Sequence, residues 1–261
     1  MITSTSNQQM KTIVQLNKKA KARRELRAFI VEGIKMFRET PPELLQRVYV
    51  SEQFLKDEKN GAYLESSGIG YELVSDSVFS HVSDTSTPQG ILAVVRQPMY
   101  EFGDLLRAEA TRLLVLEDIQ DPGNLGTMFR TGEGAGLSGI IMSRETVDLF
   151  APKTVRATMG SIYRMPFYVS ENLRDTLGML RDAGVHTYAA HLRGEKYYDE
   201  MDFTGATAFL IGNEGNGLKK ETADLADTYL KIPMEGQLES LNAAMAAGIL
   251  MYEAHRQCRQ R

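Results

Sequence analysis

Ala208-Phe209-Leu210-Ile211-Gly212-Asn213-Glu214-Gly215-Asn216-Gly217-Leu218 decides how this chain is built. Residues 208–211 read as a buried strand, residues 212–217 as a glycine-rich polar loop, and residues 218–226 as a helical segment. A strand that feeds a helix through such a loop is the unit of a parallel α/β sheet. Ligands of these sheets sit beyond the carboxyl ends of the strands. Working outward, residues 113–116, 139–142, 166–169, 185–189 and 229–232 also read as buried strands, with a clear helical segment at 173–183. The expected second half is therefore a largely parallel sheet covered on both faces.

The first half carries shorter apolar runs at residues 29–31, 48–50, 71–74 and 91–95, separated by polar, helix-compatible sequence. It reads as a smaller α/β domain. The stretch Gln97-Pro98-Met99-Tyr100-Glu101-Phe102-Gly103 breaks the pattern, and residues 104–112 read as a lead-in helix. The expected organisation is a first domain over 1–97, a linker over 98–107 and a second domain over 108–261.

The chain has 261 residues, 43% hydrophobic and 25% charged, which is ample for two packed cores. No apolar run approaches the ~20 residues that span a bilayer, and the polar start lacks a signal-peptide core. Cys258 is the single cysteine, so neither a disulfide framework nor a cysteine-rich zinc site is expected. These features describe a cytoplasmic enzyme or binding protein. The net charge of −4 excludes a uniformly basic coat. It leaves room for a local patch: seven basic residues between 11 and 27, among them Lys18, Lys19, Arg23 and Arg24, face Glu25 alone. Such clusters attract a phosphate backbone by counterion release. A solvated helix face is the plainer reading of the run taken alone.

Three loops after strands stand out: residues 121–132, with Asn124 and Arg130; residues 212–218, with Glu214; and residues 233–244, with Ser240 and Asn242. Each loop alone fits ordinary turn chemistry, with Ser240 as a helix cap. Three at one sheet edge favour a site. Familiar nucleotide signatures fail in context. Residues 134–139 spell G-x-G-x-x-G, but between a helix and the next strand, the reverse of a dinucleotide fingerprint. Residues 212–217 have P-loop spacing, yet Leu218 and Lys219 occupy the lysine and hydroxyl positions. The four histidines form no H-E-x-x-H pattern and no G-x-S-x-G elbow occurs, so no metal site or common serine hydrolase is expected.

Taken together the loops resemble the signature motifs of the SpoU/TrmH family of RNA ribose 2′-O-methyltransferases, in the SPOUT superfamily. Asn124-Leu125-Gly126 with Arg130-Thr131 resembles the first motif, and residues 210–218 the second. Ile232-Pro233-Met234 with Ser240-Leu241-Asn242 and residues 246–249 resembles the third. The similarity covers residues 108–261, and the first half resembles the family's ribosomal-protein-like substrate-binding domain. Gly132 replaces a usual alanine and Ala243-Ala244-Met245 a usual Val-Ser-Val; neither removes a polar group.

The resemblance implies a trefoil-knotted domain that binds S-adenosylmethionine. By position, Gly212, Ile232 and Leu241 would contact its adenosine portion, with Ala189 and Ala190 as a wall. Arg130 would lie at the catalytic centre. Guanidinium stays protonated above pH ~12, which favours a role gripping phosphate and polarising the hydroxyl, with general base as the alternative. Asn124, Ser240 and Asn242 would orient ribose and Arg130, and Glu214 would anchor the loop or pair with Arg130. The family further implies a homodimer packed through the small-residue helix at 241–257, and RNA as partner, with ribosomal RNA favoured over transfer RNA by the two-domain layout. The alternatives are a tRNA methyltransferase, a non-catalytic RNA-binding protein on this scaffold, and a small-molecule nucleotide enzyme.

Overall fold

β-Branched and aromatic runs bounded by glycine, proline and serine form strands where expected, in a computed structural model that describes residues 1–107, 110–192, 194–238 and 240–259. The chain divides into two compact units. The first comprises Met1–Pro98 and Asp148–Tyr163, the second Met99–Val147 and Arg164–Arg261.

In the first unit, helices α1 (Gln8–Lys18) and α2 (Ala20–Leu26) precede β1 (Ala28–Glu32) and α3 (Ile34–Glu39). β2 (Leu45–Ser51), α4 (Glu52–Lys56), α5 (Glu58–Ser67), β3 (Glu72–Val74), α6 (Asp76–Val82) and β4 (Ile91–Arg96) follow. The strands form a four-stranded sheet in the order β1-β4-β2-β3, with β4 antiparallel to both neighbours. Met10, Ile13 and Leu16 recur at helical spacing on α1 and pack with Ile30, Phe79 and Leu92 in one core.

The later segment Asp148–Tyr163, which carries α7 (Pro152–Thr158), belongs to this unit although it follows the second half's opening strands. Aromatic contact holds it: the Phe29 ring lies 5.0 Å from Phe150 and 6.3 Å from Tyr163. Arg23 is 5% exposed. Its guanidinium reaches Asp148 at 2.7 Å and donates to the Leu16 carbonyl at 2.6 Å. Arg23 is thus a buried structural cation and not part of an RNA-facing patch, which corrects the expectation from sequence. Lys18, Lys19 and Arg24 are exposed.

In the second unit, β5 (Arg112–Leu116) leads to α8 (Pro122–Ala135) and β6 (Gly139–Ser143). β7 (Phe167–Ser170), α9 (Leu173–Asp182), β8 (His186–Ala190), β9 (Lys196–Tyr197) and β10 (Thr207–Ile211) come next. α10 (Lys220–Ala223), β11 (Thr228–Lys231) and α11 (Ala243–Arg259) complete the chain. Seven parallel strands lie in the order β7-β6-β5-β10-β8-β11-β9. The central strands β6 and β10 are buried along their whole length, as in a sheet covered on both faces.

Two local expectations fail. Among the described residues the anticipated helix at 104–112 is replaced by a 3-10 turn, Phe102–Leu105, closed by Asp104 accepting from the Glu101 amide at 2.8 Å, and Arg112 already belongs to β5. Leu105 then buries its side chain against Gly139, where a Cβ would stand 2.4 Å from Leu105 Cγ. Residues 108 and 109 of that helix, like the domain edge at 108 and the chain end at 261, lie outside the described residues. The short edge strand β9 was not expected; its two residues are too few to show a period.

Candidate active site

Parallel pairing sets the site. Leu116 of β5 lies opposite Ile211 of β10, so the loops after these strands leave the sheet side by side. The first loop ends where Asp121 caps α8, accepting from the Asn124 amide at 2.8 Å, with Pro122 as the first helical residue. The second loop is pinched into a tight turn: the amides and carbonyls of Asn213 and Gly217 bond each other at 3.1 and 2.8 Å. Asn213 Oδ1 holds the turn from inside, accepting from Gly215 and Asn216 amides. A Cβ on Gly212 would stand 2.0 Å from the Gly217 carbonyl carbon and the Leu218 nitrogen. Glycine is therefore demanded at 212 by the loop's own backbone, before any ligand is considered.

Glu214 joins these two loops. Its Oε2 accepts from the Gln120 amide, and its Oε1 from the Asp121 amide and Asn124 Nδ2, each at 3.0 Å. Burial alone would raise its pKa, but the bonds from Asn124, Gln120 and Asp121 outweigh it and hold the carboxyl below its ordinary value. The third loop enters through Asn242, whose Nδ2 donates to Asn124 Oδ1 at 3.0 Å. Asn242 Oδ1 caps α11, accepting from the Ala244 and Met245 amides at 2.9 and 3.2 Å. Each amide has one orientation that satisfies this chain: Asn124 must donate to the carboxylate, so its oxygen faces Asn242. Of the two roles expectation left open for Glu214, the structure shows the anchor. It does not bring Glu214 to Arg130.

Arg130 lies six residues beyond Asn124 on α8, exposed, and its side chain makes no hydrogen bond or ion pair among the described residues. Ser240 is also exposed, two residues before Asn242. α8 and α11 run side by side from this edge. A Cβ on Gly248 would lie 3.7 Å from Thr131 Cγ2, and one on Gly134 3.2 Å from the Tyr252 hydroxyl. Gly132 packs elsewhere, away from α11: a Cβ there would meet Leu137 Cδ1 at 3.2 Å and Met165 Cε at 3.5 Å, which gives glycine a physical reason at this position.

Ala189, Ala190, Gly212 and Ile232, four of the residues expected to hold a cofactor, lie on or directly after the neighbouring strands. β8 lies between β10 and β11, with Ala189 opposite Leu210 and Ala190 opposite Leu230. Gly212, Ala190 and Ile232 therefore present main chain at one edge, and Ala190, Ile232 and Leu241 are each half-buried. Backbone groups flanked by apolar side chains suit an uncharged purine. Ala189 differs: it is fully buried in the core beneath this edge. Sequence reasoning missed Gln120 and Asp121, whose amides grip Glu214. The Asp-Pro pair at 121–122 was the available sign of a helix cap. Among the described residues no cluster of His, Cys, Asp or Glu could hold a metal, and no helix is long and apolar enough to cross a membrane.

The parallel sheet, with glycine-rich loops that meet through a carboxylate and two amides at one edge, is an α/β fold with a built site where the three motifs converge. Residues 111–252 match the SpoU rRNA Methylase family, and residues 7–93 the MRM3-like substrate binding domain. The chain belongs to the SpoU rRNA methylase family. It is 36% identical to the 23S rRNA (guanosine(2553)-2′-O)-methyltransferase RlmP of Bacillus subtilis, over 96% of this chain and 97% of that protein. It is 31% identical to an uncharacterised tRNA/rRNA methyltransferase of Synechocystis, over 98% and 93%. Among solved structures, the AdoMet-bound rRNA methyltransferase of Sinorhizobium meliloti is 34% identical with a TM-score of 0.84, covering 98% of this chain and 97% of that one.

Proposed function

We propose that this protein transfers a methyl group from S-adenosylmethionine to a ribose 2′-hydroxyl of ribosomal RNA. The observation that carries this reading is the bonded series Glu214–Asn124–Asn242, which ties three motif loops together on the helix that carries exposed Arg130. The cofactor supplies a methyl group already activated on a sulfonium. What remains for the protein is to place the hydroxyl in line and to assist loss of its proton. Arg130 carries a fixed charge and a planar fork, which suit it to hold the phosphate beside the target ribose and to polarise the hydroxyl. Asn124 and Asn242 set the floor of that site, and Ser240 faces solvent beside it to meet the ribose. Gly212, Ala190, Ile232 and Leu241 hold the adenosine portion.

Three finer assignments go with this reading. The first unit binds RNA, with exposed Lys18, Lys19 and Arg24 contacting phosphate. The C-terminal part of the sheet forms a trefoil knot, a reading supported by membership of the SpoU rRNA methylase family. A second copy covers α11, where Met245 and Tyr252 are 60% and 51% exposed on one stripe of the helix. The enzyme works in the cytoplasm, where ribosomal RNA is its substrate. Similarity over nearly the full length to an enzyme named for 23S rRNA favours ribosomal over transfer RNA. Labelled methyl transfer onto unmodified ribosomal RNA and onto transfer RNA tests the assignment: transfer to neither, with cofactor bound, would leave only a binding protein.

A further inference from the structure

The residue that leaves β5 toward the site adopts a backbone that side chains rarely take. Asp118 has φ +55°, and its surroundings account for it on every polar group. Its amide donates to Ser143 Oγ at 2.8 Å, and its carbonyl accepts from Asn213 Nδ2 at 2.9 Å and Gln120 Nε2 at 3.1 Å. Its carboxylate accepts from Ser143 Oγ and meets Lys219 Nζ, both at 2.7 Å. Asn213 and Lys219 stand at the two ends of the turn that carries Glu214. Beneath them buried Glu117 accepts from the Lys219 amide at 2.8 Å and from Thr222 Oγ1 at 2.5 Å. The carboxylate of Glu214 therefore reaches Gln120 and Asp121 from a loop gripped on both flanks by the residues just before them.

We propose that Asp118 and Lys219 form a clamp that positions Glu214, and through it Asn124 and Asn242, for methyl transfer. Both are positioning residues; neither belongs to the bonded series that faces the ribose. The inference rests on the proposed role of that series. The pair's lysine is half exposed, so it adds little to stability, whereas a small displacement of groups that align reactants costs rate.

The test uses the full chain, unmodified ribosomal RNA and labelled S-adenosylmethionine. Asp118→Asn and Lys219→Met should each lower kcat roughly tenfold while leaving cofactor Kd and Tm near wild type. Lys219→Arg should restore most of the rate. Because the pair acts through Glu214, adding Asp118→Asn to Glu214→Gln should cost nothing further. Losses that multiply, or losses matched by falling Tm, would overturn the clamp. An impaired Glu214→Gln beside full-speed Asp118→Asn and Lys219→Met would overturn it alone. A fully active Glu214→Gln would take it down together with the reading it rests on.

Discussion

Asn124 donates through Nδ2 to Glu214 and accepts through Oδ1 from Asn242, both at 3.0 Å, so one side chain on α8 reads out two loops from elsewhere in the chain. Replacing Asn124 with aspartate removes the donor and sets two carboxylates against each other. A charge-assisted bond of this kind contributes about 2 kcal/mol, so Asn124→Asp should lower kcat roughly thirtyfold. Single-turnover methyl transfer checks it. Rates within twofold of wild type would mean the ribose side does not depend on the series.

Glu214 should also contribute to the protein's sensitivity to acid. Its folded-state pKa is lowered, so its stabilising contribution is present at neutral pH and is lost as pH falls through the depressed value. Glu214→Gln lacks this dependence. Melting curves from neutral pH downward should show wild type above the variant by a constant margin, which closes only below the ordinary carboxylate range. A margin that widened on acidification would contradict the assignment.

Arg130 tests chemistry without stability. Arg130→Ala should reduce kcat by about 10²- to 10³-fold with cofactor affinity unchanged. Arg130→Lys keeps charge and loses the fork, so positioning predicts little recovery at any pH. Activity in Arg130→Lys that climbs with pH would point to a base instead.

The basic segment divides into two kinds of residue. Arg23→Met leaves Asp148 without its buried partner and should cost about 3 kcal/mol of stability. Charge reversal at Lys18, Lys19 and Arg24 should leave Tm nearly unchanged and flatten the salt dependence of RNA binding. An unaltered salt slope would show that this face does not meet RNA.

Gly212→Ala should fail differently from its neighbours. The added Cβ collides with the turn's own backbone, so Tm and cofactor affinity should fall together. Ile232→Ala and Leu241→Ala, on half-buried walls, should weaken cofactor binding with much smaller stability losses. Calorimetry and melting on the three variants separate a backbone demand from a ligand contact.

What the sequence revealed follows the range of the forces involved. Strands β5, β6, β7, β8, β10 and β11 announce themselves as local apolar runs, and the three loops as glycine and polar residues directly after strands. Arg23 could not be told from Arg24 in this way, because its partner Asp148 is 125 residues distant. The same distance hid the membership of Asp148–Tyr163 in the first unit. Glu214 stands out in the sequence as polar and well placed, but anchoring the loop and pairing with Arg130 differ only in three-dimensional hydrogen bonding. Asp118 carries no local signal at all: its left-handed backbone is held by Ser143 on one segment and by Asn213 and Lys219 on another.

The central claim is that the edge built by Glu214, Asn124 and Asn242 beside Arg130 serves 2′-O-methylation of ribosomal RNA. Its most direct test is single-turnover transfer of a labelled methyl group to unmodified ribosomal RNA, followed by mapping of the label. The account predicts a methyl on one ribose 2′-oxygen, formed by the wild type and almost lost in Arg130→Ala. Label on a base, or equal transfer by Arg130→Ala, would contradict it.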